Sequence, residues 1–423
     1  MSATEFYDTL ETRDRQQRED ALMAALPALL QAAQELPALG AMLGGIDPAA
    51  ITDRAALAAL PVTRKQELLA RQQAARAAGG DPFGGFAAIG WASQGARRPA
   101  RRVFQSPGPI YEPEGSARDY WRFGRAMFAA GLRAGDLVHN SFSYHLTPAG
   151  SMVETGAHAI GCTVFAGGVG NTELQLQALG ELRANAYAGT PSFLRILLEK
   201  ADAAGQALPA LCKATLGGEG FPAALRDLLS ARGIEGYQNY GTGDVGLIAY
   251  ETAAREGLVV DEGVIVEIVR PGTDDPAAEG EVGEVVVTVL NPDYPLVRFG
   301  TGDLSAYLPG SCPTGRTNQR IKGWMGRADQ TAKVRGMFVH PSQIAEVLRR
   351  HPAVGRARLV VEGEMANDRM TLVAECAATP EGLAAALVGS LRDVTKLRGE
   401  VRLVRPGELP NDGKVIDDLR KPD

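Results

Sequence analysis

Three short segments in the second half of the chain carry polar side chains whose types suit chemistry on charged groups. Asp303 ends a Thr-Gly-Asp sequence, Arg327 and Asp329 lie in Gly-Arg-Ala-Asp, and Lys414 ends Asp-Gly-Lys. A carboxylate offers only hydrogen-bond acceptors, whereas guanidinium and ammonium groups offer only donors and carry positive charge. Together, such groups can hold neighbouring hydroxyls through the carboxylate and stabilise negative charge through the cations.

Taken singly, each segment also has an ordinary structural explanation. An Asp beside glycines is frequent in turns, a run rich in glycine and charge is typical of a surface loop, and lysine is mostly exposed. Their order along the chain is therefore what favours a function over these alternatives.

The composition predicts a globular chain of two or more domains, because 423 residues exceed what one hydrophobic core usually supports. The net charge of -6, from 44 basic and 50 acidic residues, gives no indication of a nucleic-acid or anionic membrane partner. The charged N-terminus predicts no signal peptide, and the absence of a long apolar run predicts no membrane span. Four dispersed cysteines without a CxxC pair predict a reducing, cytoplasmic environment.

The residue patterns predict an α/β fold class. Residues 1–85 read as a helical segment, in which Thr63 is expected to cap a helix. Residues 86–328 form a large domain, because alternating strands and helices up to about 250 predict a mostly parallel sheet with right-handed crossovers. Within it, β-branched runs between about 258 and 310 predict a β-rich subdomain of antiparallel strands. Residues 329–423 form a small C-terminal α+β domain.

The order of these segments resembles that of adenylate-forming (AMP-binding) enzymes, and in particular the phenylacetate–coenzyme A ligase branch. The likeness runs from Leu60-Pro61-Val62-Thr63-Arg64-Lys65 to Lys414 and includes five motifs in the family's order. It implies ATP-dependent activation of an aromatic or arylalkanoic carboxylate to an acyl-adenylate, followed by thioester formation with coenzyme A. The implied cofactors are ATP, Mg2+ and coenzyme A. The C-terminal domain is implied to be a mobile lid.

The resemblance also implies which residues bind the nucleotide. Asp303 accepts hydrogen bonds from the ribose hydroxyls, Arg327 also reaches the ribose, and Tyr240 stacks on the adenine. The glycines before Glu219 let the backbone approach the flat ring closely. The other members of the implied nucleotide site are Gly218, Glu219, Gly241, Ser93 and Arg98.

The catalytic residues implied by the resemblance are Lys414, Thr242 and Asp244. The Lys414 ammonium touches the attacking carboxylate and the transferring phosphate, where negative charge accumulates. Thr242, or a neighbouring backbone amide, meets the α-phosphate. Asp244 stands where the family has a glutamate that helps hold magnesium; Asp is one methylene shorter, so coordination through water is expected. Asp329 is the pivot between the two domains.

The acid-binding pocket is implied to contain the aromatic walls Phe142 and Tyr144, together with Gly217. His145 replaces a glycine of the family pattern and is expected near the substrate carboxylate. The alternative for His145 is a hydrogen-bonded structural histidine.

The chain departs from the family pattern at two places. In the phosphate loop, 92–99, both threonines and two aligned glycines are missing, while Arg97, Arg98, Arg101 and Arg102 form a basic cluster. Either arginine forks replace part of the phosphate cradle, or the segment is a solvated basic loop. At the second place a Cys-x-Cys pair retains only Cys312, so no zinc is expected.

Three questions stay open from the sequence. The acyl acceptor is either coenzyme A or a carrier protein, and the chain could instead be a catalytically weakened nucleotide- or acyl-binding relative. The helical N-terminus and the family's habit favour a homodimer. The identity of the acid is not given by the sequence.

Overall fold

The computed structural model describes residues 5–96, 98–270, 274–325, 327–328, 332–334, 337–339, 341–363, 368–377, 380, 382–410 and 414–420. Contacts between Cα atoms divide the chain into two compact units, Met1–Met325 and Gly326–Pro422. This division lies close to the predicted boundary at Asp329, which itself is outside the described ranges.

The first unit begins with a helical segment. Its elements are α1 Arg15–Gln34, α2 Pro37–Leu43, α3 Arg54–Ala58, β1 Thr63–Arg64 and α4 Lys65–Ala77, with 3-10 turns at Thr9–Thr12 and Pro48–Ala50. The face of α1 that carries Leu22, Leu26 and Leu30 is buried in the same core as the strands of the β-rich region. No single described helix is long and apolar enough to cross a membrane. Helices α1 and α2, which are bent by 117° relative to each other, meet the length and composition of a membrane span only when they are taken together.

The middle of the first unit alternates strands with helices. The elements are β2 Arg102–Ser106, β3 Ile110–Glu114, α5 Phe123–Ala129, β4 Leu137–Asn140, α6 Ala149–Ala159, β5 Thr163–Ala166, α7 Thr172–Leu182, β6 Ala186–Gly189, α8 Pro191–Ala203, β7 Lys213–Leu216, α9 Ala223–Ala231, β8 Glu235–Thr242 and β9 Gly246–Tyr250, with a 3-10 turn at Ala92–Gln94. Strands β5, β4, β6, β7 and β8 lie side by side in parallel. The predicted parallel sheet is therefore confirmed. Ligands of such sheets bind beyond the carboxyl ends of the strands, so the edge where β4, β7 and β8 end is the candidate position.

The β-rich region follows. Its strands are β10 Leu258–Val260, β11 Val264–Val269, β12 Gly283–Val289, β13 Phe299–Ser305, β14 Tyr307–Leu308 and β15 Arg320–Ile321. Strands β11, β12 and β13 pair antiparallel, as the β-branched runs predict. Strands β9, β10, β15 and β14 extend the large sheet beyond β8 with antiparallel pairings.

The prediction that Thr63 caps α4 is wrong. Thr63 lies in β1, which pairs in parallel with β13 and sets Thr63 opposite Phe299. The Thr63 amide donates to the Arg298 carbonyl at 2.9 Å, so its backbone belongs to a sheet. Arg64 is the residue that precedes α4, and it makes no side-chain capping hydrogen bond. Long-range strand pairing therefore overrides the local capping preference of threonine.

A buried arginine joins three parts of the first unit. Arg298 is fully buried, and its Nε donates to Glu267 Oε2 on β11 at 3.1 Å. Its Nη1 donates to the carbonyls of Ala58, at 2.7 Å, and Leu60, and its Nη2 donates to the Asp274 carbonyl at 3.0 Å. Because Arg298 immediately precedes β13, these bonds fix that strand against both β11 and the helical segment.

The second unit is a small α+β structure. Its elements are β16 Ala332–Val334, β17 Met337–Val339, α10 Pro341–Arg350, β18 Val354–Glu362, β19 Arg369–Cys376, α11 Leu383–Thr395, β20 Glu400–Val404 and β21 Ile416–Asp418. Strands β20, β19, β18 and β21 form one sheet in that order. Buried side chains of both helices share a core with this sheet. Strand β21 pairs in parallel with β18, which fixes the segment that follows Lys414.

Arg298→Met is expected to destabilise the first unit by about 3–5 kcal/mol, because it leaves the buried Glu267 carboxylate without its cation. Tryptophan fluorescence during urea unfolding measures this change, since Trp91, Trp121 and Trp324 all lie in the first unit. A double variant, Arg298→Met with Glu267→Met, is expected to recover much of the loss.

The defect also depends on pH in a definite direction. Burial raises the pKa of Glu267, and Arg298 opposes that rise. When the pKa of a carboxyl is higher in the folded than in the unfolded protein, the folded protein loses stability as pH rises from the unfolded pKa to the folded pKa. Removing Arg298 raises the folded pKa of Glu267 further, so this pH range becomes wider. The Arg298→Met defect is therefore expected to be smaller at about pH 5 than at about pH 8; an equal defect at both would contradict this assignment.

Candidate active site

The structure brings Tyr240 and Asp303 together from different sheets. The Tyr240 hydroxyl, on β8, donates to Asp303 Oδ2 on β13 at 3.0 Å, and Trp324 Nε1 donates to Asp303 Oδ1 at 3.1 Å. Asp303 is buried, whereas the Trp324 side chain is largely exposed. The predicted ribose carboxylate and the predicted adenine tyrosine are thus neighbours. Trp324 was not predicted from the sequence, although its position just before the Gly-Arg-Ala-Asp run was a usable signal.

Irregular strand pairing aims both side chains. The β8–β9 register shifts between Tyr240 and Gly241, and the β12–β13 register shifts opposite the Thr-Gly-Asp turn. Such bulges re-aim side chains and are frequent beside active sites. Gly302 has φ +75°, and its amide donates to Glu284 Oε1 at 3.1 Å. Glu284 is in turn ion-paired with Arg64, so the turn that carries Asp303 is held from two sides.

The loop after β7 requires glycine at two consecutive positions. A Cβ on Gly217 would lie 2.2 Å from Asn239 Oδ1, and Gly218 has φ +80°. A Cβ at Gly218 would lie 3.6 Å from the Phe142 ring, so this loop adjoins one predicted wall of the acid pocket. Glu219 Oε1 accepts a 2.6 Å hydrogen bond from the Ser192 amide in the first turn of α8. Glu219 therefore anchors the loop.

The predicted pocket residues after β4 are arranged by Asn140. Its Nδ2 donates to the Tyr144 hydroxyl at 2.8 Å and to the Gly150 carbonyl at 2.9 Å, and its Oδ1 accepts from the Phe142 amide. Burial, aided by the nearby Glu154 charge, raises the pKa of Tyr144, so this hydroxyl stays neutral. Phe142 and Tyr144 are half-buried, whereas His145 is exposed.

Asp244 is buried beside a lysine that the sequence analysis did not assign to the site. Its Oδ2 accepts from Lys65 Nζ at 2.8 Å, and its Oδ1 is buried without a hydrogen-bond partner. Thr242 Oγ1 accepts from the Val245 amide at 3.2 Å and so closes the turn around Asp244. Lys65 opens α4, directly after the β1 strand that pairs with β13. Its position in the Leu-Pro-Val-Thr-Arg-Lys passage was the signal that could have identified it.

A buried glutamate, Glu112 on β3, was also missed. Its side chain is inaccessible to solvent, and neither carboxylate oxygen has a hydrogen-bond partner. Burial and, second, the charge of Asp244 raise the pKa of Glu112 well above its usual value. Nothing in its local sequence distinguishes Glu112 from any strand glutamate.

One described carboxylate oxygen, Oδ1 of Asp244, suits the binding of magnesium. No group of three or more His, Cys, Asp or Glu side chains is placed to hold a metal ion among the residues that the structure describes. Mg2+, however, is commonly bound through one or two carboxylates together with substrate phosphates. The unpartnered Oδ1 of Asp244 is an oxygen of that kind.

The altered phosphate loop holds its described arginines against carboxylates. Arg98 Nη1 donates to Asp293 Oδ1 at 2.5 Å, and Arg101 and Arg102 lie 4.0 Å and 3.8 Å from Glu114 Oε1. Ser93 is exposed in a 3-10 turn, and Arg97 lies outside the described residues. Much of the positive charge in this basic cluster is therefore already compensated within the protein.

The remaining predicted site residues belong to the second unit. Lys414 is exposed, and its Nζ donates to Asp417 Oδ1 at 2.9 Å; Arg327 is half-buried. Asp329 lies outside the described residues. In the first unit, the buried Cys312 Sγ lies 3.1 Å from Thr314 Oγ1 and 3.4 Å from Thr252 Oγ1.

Comparison with known proteins gives the chain its family. No profile of a known protein family matches it. The chain is 30% identical over 347 residues to a phenylacetate–coenzyme A ligase of Thermus thermophilus, covering 78% of this chain and 74% of that protein. It is 29% identical to the phenylacetate–coenzyme A ligase of Aromatoleum evansii, with the same coverage of 78% and 74%.

Solved structures agree on the fold. A 2-hydroxyisobutyryl–coenzyme A ligase in complex with 2-HIB-AMP and coenzyme A matches with a TM-score of 0.73 and 24% identity, over 98% of this chain and 92% of that one. An open conformation of the same ligase gives a TM-score of 0.70 and 23% identity, over 96% and 93%. The α/β architecture with its C-terminal α+β unit is therefore that of these ligases. Together with the sequence matches, this confirms the predicted resemblance: the chain belongs to the phenylacetate–coenzyme A ligase family of adenylate-forming enzymes.

Proposed function

We propose that this chain activates an aromatic or arylalkanoic carboxylic acid in two steps. In the first, the acid carboxylate attacks the α-phosphate of ATP, giving the acyl-adenylate and pyrophosphate. In the second, the thiol of coenzyme A attacks the acyl carbon, giving the thioester, AMP and a proton. The observation that carries the proposal is the Tyr240–Asp303 hydrogen bond, because it sets an aromatic ring beside a buried acceptor group, as a nucleoside needs.

Residues of the first unit bind the ribose, the adenine and the acid. Asp303 accepts from the ribose hydroxyls, because a carboxylate can accept about four hydrogen bonds and offers no donor; Tyr240 and Trp324 are among its other donors. The ring of Tyr240 packs on the adenine, and the Gly217–Gly218 backbone approaches it where a side chain would not fit. Phe142, which adjoins that loop, is a wall of the acid pocket together with Tyr144.

Residues of the second unit complete the chemistry. Arg327 binds the ribose, and the Lys414 ammonium stabilises the negative charge that builds up as carboxylate meets phosphate. The Lys414 side chain is exposed, and its Nζ donates a hydrogen bond to Asp417 Oδ1. Because the ammonium faces solvent, a nucleotide can reach it. Bound Mg2+ supplies compensation of phosphate charge, with Asp244 as its proposed protein ligand. Rotation about Asp329 between the two steps follows the usual gating by domain closure.

Two alternatives to this function concern the acyl acceptor and the level of catalysis. A carrier-protein thiol could replace coenzyme A as acceptor. The pairing of Arg98 with Asp293 favours a second candidate, a nucleotide- or acyl-binding relative with weakened catalysis, because it reduces the charge available to the phosphates. Carboxylate-dependent pyrophosphate release with a panel of aryl acids separates the ligase from the binding protein: release supports the ligase, and AMP binding without release from any acid supports the binding protein.

A cytoplasmic homodimer is part of the proposal, and light scattering tests the dimer.

Lys414→Ala is expected to lower carboxylate-dependent pyrophosphate release by about 10²–10³-fold, the usual cost of removing one group that stabilises developing charge. The same variant is expected to convert supplied acyl-adenylate to thioester at a rate near that of the unchanged protein, because Lys414 acts in the first step. Lys200→Ala, which removes an exposed lysine on α8, is the control. Equal loss in both half-reactions would contradict the assigned role.

Asp303→Asn is expected to abolish the preference for a ribose with free hydroxyls. Hydrogen bonds to a charged group contribute about 1.5–3 kcal/mol, so the unchanged protein should bind ATP at least about tenfold more tightly than 2′,3′-dideoxy-ATP. Calorimetric titration of both nucleotides measures the ratio, which should fall close to one in Asp303→Asn. Tyr240→Phe keeps the ring and the carboxylate, so it should retain the preference. A ratio unchanged in Asp303→Asn would place the ribose elsewhere.

A further inference from the structure

The turn that carries Asp244 packs against the β2–β3 hairpin, where Glu112 is buried. Glu112 lies opposite Phe104 in that hairpin. Ser106, on the other strand, lies so close to the turn that a Cβ on Gly243 would be 2.6 Å from Ser106 Oγ. The Asp244 carboxylate is near enough for its charge to act on Glu112. The two buried carboxylates therefore belong to one local cluster.

Polar atoms of this cluster lack partners. Both oxygens of Glu112, Oδ1 of Asp244 and the hydroxyl of Tyr294 are buried without a hydrogen bond. Glu112 and Asp244 are the two charged groups that act most strongly on the fully buried Tyr294. Buried polar groups are nearly always hydrogen-bonded, so several orphaned oxygens in one place indicate a missing ligand.

A neighbouring glutamate shows the contrast. Glu114, two residues along the same strand, is equally buried. Its Oε2 accepts from Trp121 Nε1 at 2.8 Å and from Ser151 Oγ at 2.5 Å, and Arg102 Nη1 lies 3.8 Å from its Oε1. Glu114 therefore has two close donors and a nearby cation, although its Oε1 also lacks a hydrogen bond, whereas only Ser106 and the charge of Lys65 offset the burial of Glu112.

The charges of the cluster point to the kind of ligand. Two carboxylates face one ammonium, that of Lys65, which is bound to Asp244 Oδ2. A buried charge without compensation is strongly unfavourable. Carboxylate oxygens are hard ligands, which suit Mg2+ or Mn2+, and two carboxylates with substrate phosphates are a common set for Mg2+.

We infer that Glu112 is a second carboxylate ligand of a divalent-cation site that it shares with Asp244. Lys65 compensates Asp244 while the cation is absent. The inference rests on the proposed function in one respect, because nucleotide phosphates supply the remaining ligands. It assigns a binding role to β3, a strand that lies outside the motifs that carry the nucleotide.

Titration with Mn2+, followed by the electron paramagnetic resonance signal of the free ion, tests this site without measuring activity. The titration is done with Mn2+ alone and with Mn2+ plus α,β-methylene-ATP. Glu112→Gln is expected to weaken Mn2+ binding by about tenfold or more, since even residues that only orient a metal ligand cost 10–100-fold. Glu114→Gln makes the same chemical change at an equally buried position and should leave the Mn2+ affinity unchanged.

Glu112→Gln keeps the size of the side chain and an oxygen that can still accept from Ser106, so its melting temperature should stay close to that of the unchanged protein. If it does not fold, Glu112→Asp is compared with Glu114→Asp: weaker Mn2+ binding in the first alone supports the site, and equal binding overturns it. Mn2+ affinity unchanged in Glu112→Gln, or no Mn2+ binding by the unchanged protein in either titration, overturns the inference.

Pyrophosphate release, measured separately, keeps the two proposals apart. Release by the unchanged protein together with normal Mn2+ binding by Glu112→Gln overturns the cation site and leaves the ligase function standing. Mn2+ binding that depends on Glu112, without release from any acid, supports the cation site and overturns the ligase function.

Discussion

The first unit depends on a buried guanidinium. Arg298 binds the Glu267 carboxylate on β11 and the carbonyls of Ala58 and Leu60 in the helical segment. A buried charge of this kind is stable only when its donors are satisfied, so it fixes the relative positions of the elements around it. Strand β13 begins immediately afterwards and carries Asp303, while β1 and Lys65 follow Leu60. One interaction therefore positions side chains on two sides of the candidate site.

The proposed nucleoside part of the site lies where two sheets meet. Tyr240 comes from the end of β8 in the large sheet, and Asp303 comes from β13 in the smaller one. In parallel α/β sheets, ligands bind beyond the carboxyl ends of the strands. Here the smaller sheet supplies a further acceptor, Asp303, beside that edge. The irregular pairing at both residues turns their side chains toward each other.

The proposed phosphate part of the site differs in how its charges are compensated. The arginines of the altered loop are held by Asp293 and Glu114, whereas Lys65 is held by Asp244. The described cations near the predicted phosphate position are thus already paired. Binding a polyanion there requires either that these pairs exchange partners or that a further cation enters. The orphaned oxygens of Glu112 and Asp244 favour the second arrangement.

The sequence by itself determined the family, the fold class, the parallel sheet and the antiparallel β-rich region, because local patterns of β-branched and turn residues encode such elements and ordered motifs survive divergence. It did not place Thr63 in a strand, because that pairing is made with a residue more than two hundred positions away. It gave no role to Lys65, Glu112 or Trp324, since the function of each depends on neighbours distant in sequence. Only the tertiary structure decided which carboxylates lack partners, because burial and hydrogen bonding are set by the packing of separate elements and not by the residues beside them in the chain.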